Sequence, residues 1–145
     1  MIAANFFTKE QKKLLKEAIA GAELNTSGEI RLHVENRCKI DVLDCAANWF
    51  EKLEMHKTKD RNGVLFYLAV KDRKFAILGD AGINTVTPEN FWENIKAEML
   101  ELFKEDKFAE GLIRGIVRAG EELKEHFPYQ SDDVNELSDE ISFGK

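Results

Sequence analysis

Two short polar clusters flank a pair of apolar runs and contain the residue types that bind a hard cation. Asp60-Arg61-Asn62-Gly63 precedes the run GVLFYLAV, and Gly79-Asp80-Ala81-Gly82 follows the run KFAILG, with only Lys71-Asp72-Arg73 between the runs. Carboxylate, amide and carbonyl oxygens are the ligands that Ca²⁺ prefers, usually roughly six to eight of them. The two clusters can act together only if the fold brings the outer ends of the runs to one place.

Helical periodicity predicts four helices around the apolar runs. Thr8-Lys9-Glu10-Gln11 fits a capping box, and Thr87 followed by Pro88 is typical of an N-cap and the first helical position. Pro128 ends the last helix. The predicted helices run from Thr8 to about Glu23, from about Asp41 to the polar linker MHKTKDRN, from Thr87 to about Phe103, and from Phe108 to Phe127.

Three strands alternate with these helices. Ile30, Leu32 and Val34 alternate with polar residues, which predicts a half-buried strand over Glu29–Val34, and the two apolar runs predict strands over Gly63–Val70 and Lys74–Gly79. The order α, β, α, β, β, α, α favours a parallel crossover followed by an antiparallel hairpin. The sequence therefore predicts an α/β fold, a three-layer α/β/α sandwich with a small mixed sheet.

This topology places the start of the first strand, the start of the second and the end of the third at one edge of the sheet. We expect a cation site there, with Glu29, Asp60, Asn62 and Asp80 as ligands to Ca²⁺ and Glu89 in reserve. Magnesium fits this set less well because it demands tighter octahedral geometry.

Simpler roles for the same residues stay open. Asp and Asn in Gly-rich turns commonly bond to nearby backbone amides, and Asp60 beside Arg61 can form an ordinary surface pair. Glu29 lies on the strand face opposite Ile30, where a charge needs a partner, and Arg31 on the same face is an alternative to a cation.

Composition limits the class of protein. The chain has 145 residues, which predicts one domain, and its formal net charge of −6 predicts no nucleic-acid partner. We expect the domain to cover residues 7–130 and to be followed by an acidic tail over residues 131–145. We expect no membrane span and a cytoplasmic location, because no stretch approaches the length of a transmembrane helix or a signal peptide. Cys38 and Cys45 are expected to be reduced, partly buried thiols.

Residues for catalysis are sparse. The chain has no Cys-x5-Arg loop and no Asp-x-Asp pair, and His33, His56 and His126 fall in three different elements, where we expect surface or capping roles. Arg61 is the one evident basic group for a phosphate at the predicted edge. These residues therefore favour a binding role over catalysis.

Four segments together resemble the TPM domain family. They are SGEIRLHVE at 27–35, RNGVLFYLAVKDRKFAILGDAGI at 61–83, the pair Phe91-Trp92, and FPYQSDDVNELSDEISFG at 127–144. The family includes a thylakoid-lumen phosphatase-like protein, a photosystem II repair protein and a nematode receptor-modulating protein. The resemblance implies a Rossmann-like α/β/α fold and binding of divalent cations, calcium in particular.

The resemblance implies activity less directly. Acid phosphatase activity is ascribed to the thylakoid branch, whereas other members act as binding or assembly partners, so a protein partner is a second expectation. This chain resembles a stand-alone domain without the membrane segment of many members. It has Gly79-Asp80-Ala81-Gly82-Ile83 where the thylakoid branch has approximately Gly-Tyr-Gly-Leu-Glu. Ligands therefore cannot be transferred position by position. Of the two roles that the resemblance implies, we favour a binding module over a metal-dependent acid phosphatase acting on phosphomonoesters.

Overall fold

The structure is a computed structural model that describes residues 3–129 and 141–144. The described residues form a short 3-10 turn at Ala3–Asn5 and five α-helices. The helices are α1 (Lys9–Glu23), α2 (Val42–Lys52), α3 (Ala81–Val86), α4 (Phe91–Lys104) and α5 (Phe108–His126). The capping box at the start of α1 is confirmed, because the Thr8 side chain accepts from the Gln11 amide and the Gln11 side chain accepts from the Thr8 amide.

Four strands form one mixed sheet in the order β3-β2-β1-β4. They are β1 (Glu29–Glu35), β2 (Gly63–Ala69), β3 (Lys74–Gly79) and β4 (Ser142–Phe143). β1 is parallel to β2, and β2 is antiparallel to β3, as the order of elements predicts. The mixed sheet and the α/β class are confirmed.

Helices cover both faces of the sheet. On one face, α1, α4 and α5 pack over a large apolar core that includes Leu32, Phe66 and Ile116. On the other face, α2 packs over β2 and β3 through smaller clusters around Tyr67 and Leu65. This arrangement is the three-layer α/β/α sandwich. Because both faces of β1 are covered, the expectation of a half-buried strand is wrong: Glu29 and His33 are buried as well as the apolar residues.

The segment after β3 differs from the prediction. Asp80 is the N-cap of the short helix α3, and its carboxylate accepts from the Ala81 amide at 2.8 Å. Thr87 therefore lies at the C-cap of α3 and not at the start of the next helix, which begins at Phe91 after Asn90. Thr87-Pro88 therefore marks a helix boundary, but the prediction that Thr87 is the N-cap of the following helix is wrong.

The end of the chain adds a strand that periodicity does not predict. β4 pairs in parallel with His33 and Val34 of β1, and Ile141 packs against the large core. Two residues are too short to show an alternating pattern, so only tertiary contact defines this strand. The remainder of the predicted acidic tail, including Val134 and Leu137, lies outside the described residues.

The two cysteines form a disulfide, so the expectation of reduced thiols is wrong. The Cα atoms of Cys38 and Cys45 are 6.3 Å apart, which is within the range that a disulfide requires. The bond ties the loop after β1 to the first turns of α2. The fold brings these sulfurs together although their sequence spacing fits no standard motif.

Within residues 3–129 and 141–144, none of the helices combines the length and the apolar character needed to span a lipid bilayer.

Candidate functional site

The sheet register brings the predicted ligands to one edge. Glu29 pairs with Gly63, and Val64 pairs with Gly79, so β1 and β2 begin where β3 ends. The Glu29 amide donates to the Asn62 carbonyl oxygen at 3.4 Å, and the Asp80 amide donates to the Gly63 carbonyl oxygen at 2.9 Å. The predicted convergence of three loops is therefore present.

Asp80 is paired with a neighbouring cation of the chain itself. Nε of Arg61 donates to Oδ2 of Asp80 at 2.7 Å, and Nη2 donates to Oδ1 at 2.8 Å, a bidentate geometry. The Asp80 side chain is only 6% exposed, whereas that of Arg61 is 53% exposed. The hydrogen bonds to Asp80 raise the pKa of Arg61 above its usual value. The surface pair that we considered for Arg61 forms with Asp80 and not with its neighbour Asp60.

Asn62 occupies the centre of this edge and is 1% exposed. Its backbone amide donates to Oγ1 of Thr58 at 3.3 Å, and Nδ2 of its side chain donates to Oγ of Ser27 at 3.3 Å. Its Oδ1 is buried without a hydrogen-bond partner among the described residues. Buried polar atoms are nearly always satisfied, so this oxygen requires an explanation.

The other predicted ligands differ in burial. Glu29 is 2% exposed, whereas Asp60 and Glu89 are exposed. Gly82 lies so close to the loop that a Cβ there would be 2.0 Å from the Asp60 carbonyl oxygen, and its amide donates to the Arg61 carbonyl oxygen at 2.8 Å. Glycine is therefore required at position 82 for the second cluster to pack against the first.

The carboxylates at this edge do not form a compact triplet in the described part of the chain. There, the group of His, Cys, Asp or Glu side chains whose ligand atoms all lie within 4.8 Å of one another is Glu122, Glu125 and His126 at the end of α5. Asn84, which the topology also brings near, is engaged elsewhere: Nδ2 donates to the Gly79 carbonyl oxygen, and Oδ1 accepts from Trp92, both at 2.8 Å. The assignment of Glu29, Asp60, Asn62 and Asp80 as calcium ligands stays a prediction.

A cavity of about 420 Å³ adjoins the Arg61–Asp80 pair on the α2 side of the sheet. Its apolar wall includes Phe50 and Leu78, and Glu51 and His56 add ionisable groups. The lining residues are Ala47, Phe50, Glu51, His56, Arg61, Leu78, Gly79 and Asp80. This edge therefore combines loop oxygen atoms that could coordinate a cation with an open cavity lined in part by the guanidinium of Arg61.

A second polar cluster, which sequence reasoning missed, lies toward the opposite edge. Glu35 accepts from Nε1 of Trp49 at 2.8 Å and from the hydroxyl of Tyr67. His33 stacks on Trp49 at 3.8 Å, and its Nδ1 lies 2.7 Å from Oγ of Ser142 in β4. His33 is fully buried, so the expectation of a surface or capping role is wrong for this histidine.

Burial controls the protonation of this second cluster. Desolvation lowers the pKa of His33 to about 4, against the smaller opposing effect of Glu35. Desolvation and the hydrogen bond to Glu35 raise the pKa of Tyr67. In the sequence, His33 and Glu35 lie on one face of the predicted strand, which is the signal that could have indicated this cluster. Alternation by itself predicts that this face is exposed to solvent.

Comparisons with known proteins agree with this architecture. The family model of the TPM domain matches residues 1–122. The NMR structure of the BA42 protein from the psychrophilic bacterium Bizionia argentinensis is similar, with 46% identity, a TM-score of 0.89 and coverage of 96% of each chain. A search of curated proteins finds no match.

Two more distant solved structures share the fold alone. The N-terminal domain of a protein from P. gingivalis has 18% identity and a TM-score of 0.69, covering 88% of this chain and 84% of that one. The N-terminal domain of the cg2496 protein from Corynebacterium glutamicum has 10% identity and a TM-score of 0.65, covering 82% and 75%.

Proposed function

Because this chain belongs to the TPM domain family, we propose that it is a calcium-binding domain that acts as a binding or assembly module. The proposed ligands are Glu29, Asp60, Asn62 and Asp80 at the edge where three loops converge. The observation that carries the proposal is the buried Oδ1 of Asn62, which has no hydrogen-bond partner among the described residues.

The physical argument starts from this amide oxygen. Leaving a buried acceptor unsatisfied costs about 1–3 kcal/mol, and a coordinated cation removes that penalty. Glu29 begins the strand beside the Asn62 carbonyl and is itself buried, so a carboxylate and an amide oxygen lie at the same edge. These groups, with loop carbonyls, match the hard oxygen ligands of calcium better than the nitrogen and sulfur ligands of transition metals.

A protein partner and a cellular location are part of the same proposal. A protein partner recognised through this edge fits the binding or assembly role that some TPM members have. The net charge of −6 supports an affinity for cations and not for nucleic acid. The cytoplasmic location stays a prediction, and the disulfide between Cys38 and Cys45 argues against it because disulfides are typical of oxidising compartments.

A calcium titration followed by NMR, residue by residue, tests the site. We expect chelator-treated protein to show saturable shifts at the amides of Glu29, Asn62, Gly63 and Asp80. Asp80→Asn should weaken calcium binding by about tenfold or more, because a charged ligand is lost and affinity follows ligand charge. Asparagine is also a good N-cap, so α3 should persist.

The matched control is Asp106→Asn. Asp106 is exposed beside Arg73, which lies in the turn at the far end of the β2–β3 hairpin, and its positive φ suits asparagine. Calcium affinity should not change in this variant. Shifts confined to Glu122, Glu125 and His126 would place the ion at the end of α5 and contradict the proposed site.

A phosphatase assay distinguishes the binding module from the alternative of a metal-dependent phosphatase. Hydrolysis of phenyl phosphate is measured for the parent chain, Asp80→Asn and Asp106→Asn. We expect no turnover that depends on Asp80, because the guanidinium of Arg61, the basic group expected to hold a phosphate here, is paired with Asp80. Turnover that is abolished by Asp80→Asn and retained by Asp106→Asn would favour the metal-dependent phosphatase.

A further inference from the structure

We propose that Arg61 is a tethered competitor of calcium for Asp80, and that calcium binding frees its guanidinium to receive an anion in the adjoining cavity. This inference rests on the proposed calcium site. It begins from a conflict in the structure: Asp80, a proposed ligand, already has both carboxylate oxygens hydrogen-bonded to Arg61.

Both carboxylate oxygens of Asp80 are occupied by hydrogen bonds in the present geometry. Oδ2 accepts from Nε of Arg61, and Oδ1 accepts from Nη2 of Arg61 and from the Ala81 amide. The side chain is 6% exposed, so solvent offers little further room around it. Calcium on Asp80 would lie beside the guanidinium of Arg61, and repulsion between the two cations favours the loss of at least one of the two hydrogen bonds.

Arg61 can leave Asp80 without unfolding the loop. Its side chain is 53% exposed, so its release removes little buried surface. Its backbone is held separately: the Arg61 carbonyl oxygen accepts from the Gly82 amide at 2.8 Å, and a Cβ at Gly82 would be only 2.6 Å from that oxygen. The guanidinium therefore moves on a fixed main chain at the rim of the 420 Å³ cavity.

The charge of the cavity depends on the partner of Asp80. Without calcium, Arg61 is neutralised by Asp80, and Glu51 leaves the cavity unfavourable for anions. With calcium on Asp80, the guanidinium carries an unpaired charge and presents a fork of donors that matches a carboxylate or phosphate. Phe50 and Leu78 supply an apolar wall for the body of a small organic anion.

Competition and anion binding make two predictions of defined sign. Removing the tethered competitor should tighten calcium binding, and the loss of a positive charge near the edge acts in the same direction. Because coupling between two ligands is reciprocal, calcium should strengthen anion binding by the same factor by which the anion strengthens calcium binding. Tighter calcium binding needs only the loss of Arg61, whereas calcium-dependent anion binding needs its guanidinium to be present.

The test compares the parent chain with Arg61→Gln, whose fold is checked by circular dichroism. Calcium affinity is measured by calorimetry, and binding of phenyl phosphate or benzoate is measured from the amide shifts of Leu78 and Gly79 with and without saturating calcium. We expect Arg61→Gln to bind calcium several-fold more tightly. In the parent, calcium should raise affinity for at least one probe about tenfold, and the two probes distinguish phosphate from carboxylate recognition.

Arg61→Gln is also the control for direct capture of the anion by the bound ion. The calcium-dependent rise should be absent in this variant. An equal rise in Arg61→Gln, no rise in the parent, or weaker calcium binding by the variant would overturn the inference while leaving the calcium site in place. Absence of calcium binding in both chains would overturn the proposed function together with the inference.

Discussion

Glu35 organises the buried polar cluster by accepting hydrogen bonds from Trp49 and Tyr67, and His33 completes it by stacking on Trp49. Oε1 of Glu35 lies 3.8 Å from Nε2 of His33, and that nitrogen has no hydrogen-bond partner among the described residues. Arg31 and Lys52 oppose protonation of His33, and Glu35 favours it, but desolvation is the largest effect. The folded protein therefore holds His33 neutral.

The lowered pKa of His33 makes stability depend on pH. The pKa of His33 is about 4 in the folded chain, against an ordinary value of 6.5. Between these values the unfolded state takes up a proton that the folded state does not, so stability falls as pH falls through this window. We expect the free energy of unfolding to decrease by on the order of 2 kcal/mol between pH 7 and pH 5.

Urea unfolding at the two pH values measures this loss. The change in the free energy of unfolding between pH 7 and pH 5 should be much smaller in His33→Gln, whatever that substitution does to stability at pH 7. His56→Gln, which changes an exposed histidine, should keep the parent's pH dependence. A full pH dependence in His33→Gln would show that other groups carry the effect.

At the scale of elements, α5 determines how closely the helical layer approaches the sheet. A Cβ at Gly115 would lie 2.5 Å from Sδ of Met99 in α4 and 2.8 Å from Cε2 of Phe66 in β2. Gly111, one turn earlier in α5, also lies against α4, where a Cβ would meet Phe103 and Met99. The two glycines fix the contact among three elements.

Alanine substitutions in two helices should have opposite effects. Gly115→Ala should destabilise the protein by about 1–3 kcal/mol, because overpacking exceeds the gain in helix propensity. Gly21→Ala in the last turn of α1 meets nothing within 4 Å and should stabilise it by about 0.5–1 kcal/mol. Thermal or urea unfolding measures both changes. Stabilisation by Gly115→Ala would show that α5 has freedom to move away from Met99 and Phe66.

For the molecule as a whole, the proposed site predicts that stability depends on calcium. A ligand that binds only the folded state stabilises it by mass action, by about 2.7 kcal/mol at a hundredfold excess over its dissociation constant. We expect millimolar calcium to raise the thermal midpoint of the chelator-treated chain. The increase should be smaller in Asp80→Asn than in Asp106→Asn, and an unchanged midpoint in the parent would contradict a specific site.

Local sequence determined the elements whose signals are local. The capping box at Thr8, the boundaries of the β2–β3 hairpin and the alternation of helices with strands follow from side chains within a few residues of one another. From their order, the mixed sheet and the edge that joins Glu29, Asn62 and Asp80 could be predicted, because a parallel crossover and a hairpin allow few topologies. The family resemblance in the same residues was confirmed.

Only the tertiary structure decided which partner each polar group has. Arg61 and Asp80 are separated by the whole hairpin, Cys38 and Cys45 by a turn that fits no disulfide motif, and His33 and Ser142 by most of the chain. Such partners depend on distances between elements, which periodicity does not encode. Burial is non-local for the same reason: α2 and the end of the chain cover His33, and a strand's own alternation cannot show what packs on its second face.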